Sequence, residues 1–372
     1  VVVIGYGTQQ RRDLTGAIAS ANLKDKSNTA NVDIGQALQG LMAGVNVGVA
    51  TQAGGSPEIE IRGQNSLSGS QSPLIILDGI IFNGDLSNIN VSDVATLDIL
   101  KDASAAAVYG ARASNGVILI TTKKGKSEKA SFSFNAYKGV QDLSPTDATQ
   151  IMDEQQFLQR LIDYPHQEQL YKWYDSYQKN VLAGTTPPDQ STKPVVATPS
   201  TPEELEVYFR SPEEADNFRQ GISRNWIDET LRETAIVQNY DLSVSGRSKS
   251  SSYYLSGTYT EQEGLNENDQ FERATMRANF TSDVKDWLSL GLNSAYSFRD
   301  YSGIEAPLDR AMNASPWGSL RQGPDPDDPT QYYTEVVAED GVIQNPLSNT
   351  TAENDDLRDN IFIALKAKID IP

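Results

Sequence analysis

The chain has 372 residues, 38% of them hydrophobic, and a mean hydropathy of −0.47. No run approaches the roughly 18 consecutive apolar residues of a spanning helix, which excludes a helical membrane protein but not a β-barrel, whose strands alternate. A formal charge of −19 argues against nucleic acid, and the lack of cysteine with a single histidine, His166, excludes disulfide frameworks and most nucleophilic or zinc constellations.

In chain order, Val1 to Gly7 (VVVIGYG) is a short β-prone run. It reads either as an edge strand or as a segment that adds to a partner as a strand, where main-chain bonds supply the affinity. No charged leader or cleavage site precedes it, and the terminal AKIDIP stops inside an alternating pattern, so both ends are expected to be cut. A polar stretch leads to Asp33. From Asp33 to Gly125 the pattern is that of a small α+β unit. Ala37, Leu38, Leu41 and Met42 fall on one helical face, and Gly44 closes that helix before a strand at Val45 to Val49. Gly54-Gly55-Ser56-Pro57 is a turn, and Ser66 to Ser72 is a serine-glycine loop that connects, or touches a ligand at the outer face. The densest stretch is Leu97 to Gly125: a strand, a helix N-capped by Asp102 over Ala103 to Tyr109, a stop at Gly110, and the turn Asn115-Gly116. It ends in a β-branched run, Val117 to Thr122, apolar enough to be covered on both faces.

From Ala130 the period becomes two. Six strands are predicted, near residues 129–141, 234–247, 251–263, 271–283, 287–301 and 357–371. In the fourth, Ala274, Met276, Ala278 and Phe280 oppose Arg273, Thr275, Arg277 and Asn279; in the last, Ile361, Ile363, Leu365 and Ile369 oppose Ala364, Lys366 and Lys368. A soluble sheet with one wet face has the same alternation, but strands this long suit a tilted membrane span. The links Arg247 to Ser251 and Asp283 to Asp286 are tight, those at Asp142 to Glu233 and Tyr301 to Asp356 long, and short and long alternate as barrel turns and outer loops do. Trp287, Tyr259, Tyr296 and Tyr301 near strand ends suit interfacial girdles.

Within the first long link, helices are expected at Ala148 to Tyr164 and Glu203 to Arg219, with His166 in a solvated loop after Pro165 and an irregular Gly184 to Pro202. Gln167 to Asn180 carries Tyr171, Trp173, Tyr174 and Tyr177, rings on which a sugar or peptide can stack, though such spacing also serves packing. Asp325, Asp327 and Asp328 in Gly323 to Pro329 lack the glycine and distal glutamate of an EF-hand and read as a solvated turn; no metal or cofactor is expected.

LKDASAAAVYGARASNGVILITTKKGK, preceded in order by QALQGLMAGVNVGV, IEIRG and PLIILDG, resembles the plug signature of SusC-like (SusC/RagA family) TonB-dependent outer-membrane transporters. Asn225 to Gly246 and Tyr253 to Gly264 resemble the family's early barrel strands. The resemblance implies an α+β plug followed by antiparallel transmembrane β-barrel strands, incomplete because plugged transporters have about 22. It divides the chain into a TonB-box segment and linker at 1–32, a plug at 33–128, and wall strands at 129–372 with extracellular loops at 142–233 and 302–356. It also implies TonB-dependent import of an oligosaccharide or peptide across the outer membrane without catalysis. The partners are a SusD-like surface lipoprotein, TonB with its ExbB/ExbD complex, and outer-membrane lipid. Val1, Val2, Val3, Ile4, Gly5, Tyr6 and Gly7 would be the periplasmic TonB box, and Arg62 and Lys101 would seat the plug in the barrel lumen on wall carboxylates. A local bridge from Lys101 to Asp98 or Asp102 competes with the latter. Rival readings are a siderophore or cobalamin-type receptor, and a β-rich surface binding protein whose strands bury both faces.

Overall fold

The computed structural model describes residues 2–4, 7–9, 18–21, 33–63, 71–101, 107–143, 151–196, 199, 201–209, 211–318, 335–338, 341–351 and 354–370. Val2–Ile4 (β1) and Gly7–Gln9 (β2) form an antiparallel hairpin outside every other sheet. Ile18–Ala21 (β3) pairs with Val94–Leu100 further on, so the plug sheet begins inside the stretch read from sequence as linker.

Asp33 opens the plug's helix, Ile34–Leu38 (α1), its Oδ1 accepting from the Gly35 amide at 2.6 Å. This helix is shorter than the sequence pattern suggests. Its cap is Gln39, Gly40 and Gly44 both have φ of 72°, and Leu41, expected on the buried face, is exposed while Met42 is buried. Two left-handed glycines so close together leave no room for another helical turn. Val45–Val47 (β4) and Ile59–Ile61 (β5) form a two-stranded ribbon. Leu74–Leu77 (β6) turns through Asp78 and Gly79, with φ of 50° and 85°, into Ile80–Ile81 (β7); this is the mirror-image hairpin turn that an Asp-Gly pair adopts readily.

The plug sheet runs β3, Val94–Leu100 (β8), Val117–Thr122 (β9), β6, β7, with β9 parallel to β6 and antiparallel to β8. As expected for a strand covered on both faces, Val117, Ile118, Leu119, Ile120 and Thr122 of β9 are buried. Leu77, Ile89, Leu97 and Ile99 pack with the α1 residues Ile34, Ala37 and Leu38 into one core. Gly110, with φ 71° and ψ −163°, breaks the 3₁₀ stretch Ala107–Ala113, and Gly116 turns with φ 89°. The Asp102 cap and the Ser66 to Ser70 part of the loop lie outside the described residues.

The wall follows: Ser131–Asp142 (β10), Thr234–Arg247 (β11), Ser251–Glu263 (β12), Gln270–Lys285 (β13), Leu288–Asp300 (β14) and Leu357–Ile369, all six strands matching those predicted. They form one antiparallel meander in that order. The short hairpin Glu335–Ala338 (β15) and Gly341–Gln344 (β16) lies in the second long link, so Leu357–Ile369 is β17.

This sheet is inverted relative to a soluble one. Arg273, Thr275, Arg277 and Asn279 are buried, whereas Met276 is 67% and Leu365 78% exposed. The polar face lies against the plug and the apolar face points outward. On β14 the outward face from Leu288 to Phe298, apolar but for Ser294, measures about 34 Å along the strand, or about 24 Å at a tilt near 45°, close to the lipid-facing band of an outer-membrane barrel. Tyr259 and Tyr296 lie on the outward face, as a girdle requires, and Trp287 is exposed in the tight link between β13 and β14. Tyr301 does not face outward: its ring lies inside, 4.8 Å from Phe271 and 4.6 Å from the Arg358 guanidinium. Among the described residues no helix is long and apolar enough to cross a membrane.

The first long link carries Glu154–Leu182 (α2), Pro202–Glu206 (α3), Pro212–Gln220 (α4) and Trp226–Thr230 (α5); the second carries Leu308–Asn313 (α6). Asp153 and Gln156 make a capping box for α2, and the helix runs on through Pro165, so His166 is a half-buried helical residue rather than part of a loop. The helix expected over Glu203 to Arg219 is two, because Ser211-Pro212 begins a fresh N-terminus with Ser211 accepting from the Glu214 amide. Asn225 to Gly246, read as strand, likewise starts with the turn of α5. The alternation of links is also incomplete, since β12 and β13 join on the long-loop side through residues 264–269 alone. There Gly264 lies so close to Asp269 that an added Cβ would meet its carboxylate at 1.8 Å.

An arginine at the middle of the outward band distinguishes lipid from water. Leu365→Arg, opposite Leu292, is expected to cost about 2–4 kcal/mol in urea unfolding of the protein in lipid vesicles, whereas a water-facing position would lose almost nothing.

Candidate functional site

The site is the seam between plug and wall, and the plug's polar run Asp85 to Asp93 is its centre. Asn90 is fixed at both ends of its amide. Its Oδ1 accepts from the Ser92 amide at 2.9 Å and caps the turn Val91–Asp93, which leaves Nδ2 to donate to Asp241 Oδ2 at 3.2 Å and to Thr258. Asp93 receives Arg277 Nε at 3.2 Å, the Tyr254 hydroxyl at 2.9 Å and Ser256 Oγ at 2.6 Å; the two charged side chains are 2% and 3% exposed. Ser87 serves two arginines: its carbonyl accepts from Arg273 and its hydroxyl from Arg299, both at 2.8 Å. Arg299 also lies 3.6 Å from Asp85.

Toward the tight turns, Asn279 Nδ2 donates to Thr122 Oγ1 at 2.8 Å and to the Lys123 carbonyl at 3.1 Å, and Lys366 donates to the Asp78 carbonyl. Toward the long loops, a clasp holds the plug turn at Gln52 to Gly55. Asp269 accepts from the Ala53 amide at 3.0 Å, Gln262 from the Gly54 amide at 3.1 Å and Glu305 from Gln52 at 2.8 Å, while Tyr301 donates to the Gly54 carbonyl at 3.2 Å. The Phe271 ring closes over Gly54, where an added Cβ would meet it at 2.2 Å; with φ at 65°, only glycine fits.

At the centre of the seam the wall supplies the cations, Arg273, Arg277 and Arg299, and the plug supplies their acceptors. That is the reverse of the polarity expected for Arg62 and Lys101. Arg62 is exposed, with φ 63° and its amide on the Gly44 carbonyl at 2.9 Å. Lys101 donates to the Ala43 carbonyl inside the plug, rather than bridging to Asp98, which accepts from Ser20 instead; Asp102 lies outside the described residues. The polar faces of β13 and β14 carry a signal of this in the sequence: Arg273, Arg277 and Arg299 alternate with apolar neighbours and need acceptors. Gly84 to Asp93, where Asp, Ser and Asn interrupt Leu86, Ile89 and Val91, is the stretch that offers them.

The four aromatic candidates divide. Trp173 is buried, its Nε1 donating to Thr192 Oγ1 at 3.1 Å and its ring stacked on Tyr177 at 5.3 Å, so these two are committed to local packing. Tyr171 is 72% exposed, and Tyr174, also exposed, accepts from Lys193 at 2.7 Å. Of the seven TonB-box candidates, Val2, Val3 and Ile4 form β1 and Gly7 starts β2, whereas Val1, Gly5 and Tyr6 lie outside the described residues. Gly323 to Pro329 is outside them too. No group of His, Cys, Asp and Glu able to hold a metal occurs among the described residues.

Burial raises the Asp269 carboxyl above its ordinary 3.8, the Ala53 amide pulls it back, and Glu305 nearby pushes it up again. A carboxyl raised in the folded state stabilises fully below its unfolded value, and that contribution is lost as pH rises through the folded value. Between pH 4 and the folded value, the protein should therefore lose stability with rising pH in urea titrations, and Asp269→Asn, which keeps an acceptor for Ala53, should flatten that slope. At the centre of the seam, Arg277→Ala leaves Asp93 buried without its cation, a loss of about 3–5 kcal/mol. Single-channel recording in planar bilayers should then show the plug opening more often, with Arg277→Lys intermediate.

Residues 10–117 match the family model described as TonB-dependent Receptor Plug Domain. The chain is 34% identical to TonB-dependent receptor P26 of Formosa agariphila over 81% of its own length and 27% of that protein's, and 29% identical to TonB-dependent receptor SusC of Bacteroides thetaiotaomicron over 98% and 34%. Among solved structures, the RagAB peptide importer in its closed-closed state superimposes with a TM-score of 0.61 at 26% identity, covering 82% of this chain and 34% of that one. The open-open state of the same importer gives 0.61 at 29% identity, over 82% and 33%. The chain thus spans about a third or less of the length of the relatives it matches. Its plug, its inverted wall and these likenesses together show that the chain belongs to the SusC-like TonB-dependent transporters, of which it carries the plug and the leading wall strands.

Proposed function

We propose that this chain is the plug and leading wall of an importer that moves an oligosaccharide or peptide across the outer membrane with a SusD-like surface lipoprotein. In this reading TonB, energised through ExbB/ExbD, pulls on the Val1 to Gly7 segment from the periplasm. The observation that carries the proposal is the inverted sheet: an apolar face turned outward and a polar face bonded to a plug is what a lipid-embedded, stoppered barrel needs. A β-rich surface binding protein would bury both faces of its strands, and this wall does not.

The likeness to the RagAB peptide importer and to SusC supports a lidded arrangement and makes peptide a cargo to test beside oligosaccharide. Residues of the long loops, with Tyr171 presenting an exposed ring, would meet cargo first. Arg62 and Lys101 would seat the plug on strands that follow β17. The hairpin of β1 and β2 would open to hand its strand edge to TonB, since the same main-chain groups serve both pairings.

The test is purification of the protein from outer membranes in mild detergent, with mass spectrometry of what accompanies it. A SusD-like lipoprotein should co-purify. Recovery of the transporter alone would favour a siderophore or cobalamin-type receptor, and its absence from the outer membrane would remove both transport readings.

A further inference from the structure

The outer links of the wall are joined to one another before they meet the plug. Trp226 of α5 donates through Nε1 to the Ser315 carbonyl at 2.7 Å, the Arg224 amide donates to the Pro316 carbonyl at 2.8 Å, and α5 and α6 share a core of Trp226, Ile227, Ala311 and Ala314. Trp317 continues this body against Phe157 of α2 at 6.0 Å. The short link 264–269 belongs to it too. The Glu267 amide donates to the Thr230 carbonyl at 2.8 Å, the Ala306 amide to the Glu267 carbonyl at 2.9 Å, and Asn266 to Glu305 at 2.9 Å. Packed rings and paired main-chain groups of this kind couple the elements they join.

This body grips one plug turn, Gln52 to Pro57, at its near end. Asp269 takes the Ala53 amide, Glu305 takes Gln52, and the Phe271 ring covers Gly54. Within the turn the Gly55 amide closes on the Gln52 carbonyl at 3.1 Å and Pro57 fixes its own φ, which leaves little freedom to absorb a displacement. The far end bears on the start of α1. Pro57 lies over Gly35 so closely that an added Cβ there would meet the proline Cγ at 2.5 Å, and Ser56 Oγ lies 3.5 Å from Asp33 Oδ2. Asp33 is the cap of α1. Along this path Trp226, Asp269, Ala53, Pro57 and Asp33 are all buried among the described residues, so strands that follow β17 have no place between them.

We propose that the outer loops set the state of α1: they hold the turn Gln52 to Pro57 on Asp33, and loss of that hold loosens the Asp33 cap and the chain that precedes it. Asp269 is then a positioning residue, acting on α1 through Ala53 and Pro57. This rests on the importer reading, in which the loops are what cargo meets and the chain before Asp33 is what TonB receives. The seam contacts of Asp93 and Thr122 lie off this path.

The test is hydrogen–deuterium exchange, read by mass spectrometry, on the full-length protein purified in mild detergent. Asp269→Ala takes the acceptor from the Ala53 amide and should raise exchange in peptides covering Ile34–Leu38 at least about tenfold, while Val117–Thr122 stays at the parent rate. Asp269→Asn keeps an acceptor and should hold α1 within about twofold of the parent. Asn279→Ala, which removes two bonds at the other end of the seam, should leave Ile34–Leu38 unchanged. No rise at Ile34–Leu38, a rise shared with Val117–Thr122, or the same rise in Asn279→Ala overturns the proposal. If Asp269→Ala does not reach the outer membrane, Glu305→Ala, which frees Gln52 and Asn266, replaces it with the same readings.

The periplasmic domain of TonB is then passed over the immobilised proteins. Asp269→Ala should retain it several-fold better than the parent, and equal retention overturns the proposal. Retention by neither, with the exchange pattern as expected, counts against the importer reading alone.

Discussion

Asp93 and Arg277 form the contact on which the rest of the structure depends. Each is nearly sealed from solvent, so each needs the other, and Tyr254 and Ser256 complete the carboxylate's shell. A buried pair of this kind adds little net stability over apolar packing, but it is costly to break from one side. Its value here is therefore positional. It permits one register between plug and wall, because a shift of β13 by one residue would turn Arg277 outward into the apolar band and present Met276 or Ala278 to Asp93.

The same constraint explains how an α+β unit and a β-meander of opposite polarity coexist. The plug has an ordinary apolar core around Leu97, Ile99 and Ile118, and would count by itself as a small globular domain. The wall has no such core. Apart from Phe271 and Phe362, which meet Gly54 and Phe82, its larger apolar side chains point away from the plug, and its inward side chains need polar partners along their length. The segment Asp85 to Asp93 answers that need with short turns that expose carbonyls, amides and carboxylates at intervals matching the strands. Gly54 under Phe271 and Asp269 on Ala53 extend the match to the outer rim, where the long loops leave the wall.

Much of this was legible from residues alone. The six wall strands follow from period-two alternation and from Gly, Asp and Ser at the tight links, and β9 from an unbroken β-branched run after Asn115-Gly116. The errors have local causes. Leu41 belongs to the apolar period of α1, but Gly40 and Gly44 in left-handed conformations stop the helix first. Pro165 signals a break, yet α2 continues because Asp153 caps it and because Phe157, Leu161 and Trp173 bury one stripe on both sides of the proline. Tyr301 sits at a strand end as a girdle residue would, but its position relative to Phe271 and Arg358 turns it inward.

The sequence by itself determined the wall strands, their order and the family resemblance, because periodicity, turn residues and motif spacing are local properties. Only the tertiary structure decided which face of the wall is the inside. Alternation reads the same whether the apolar side meets a core or lipid, and the difference lies in what covers the polar side. For Arg277 that cover is Asp93, 184 residues earlier in the chain, and no local pattern links the two.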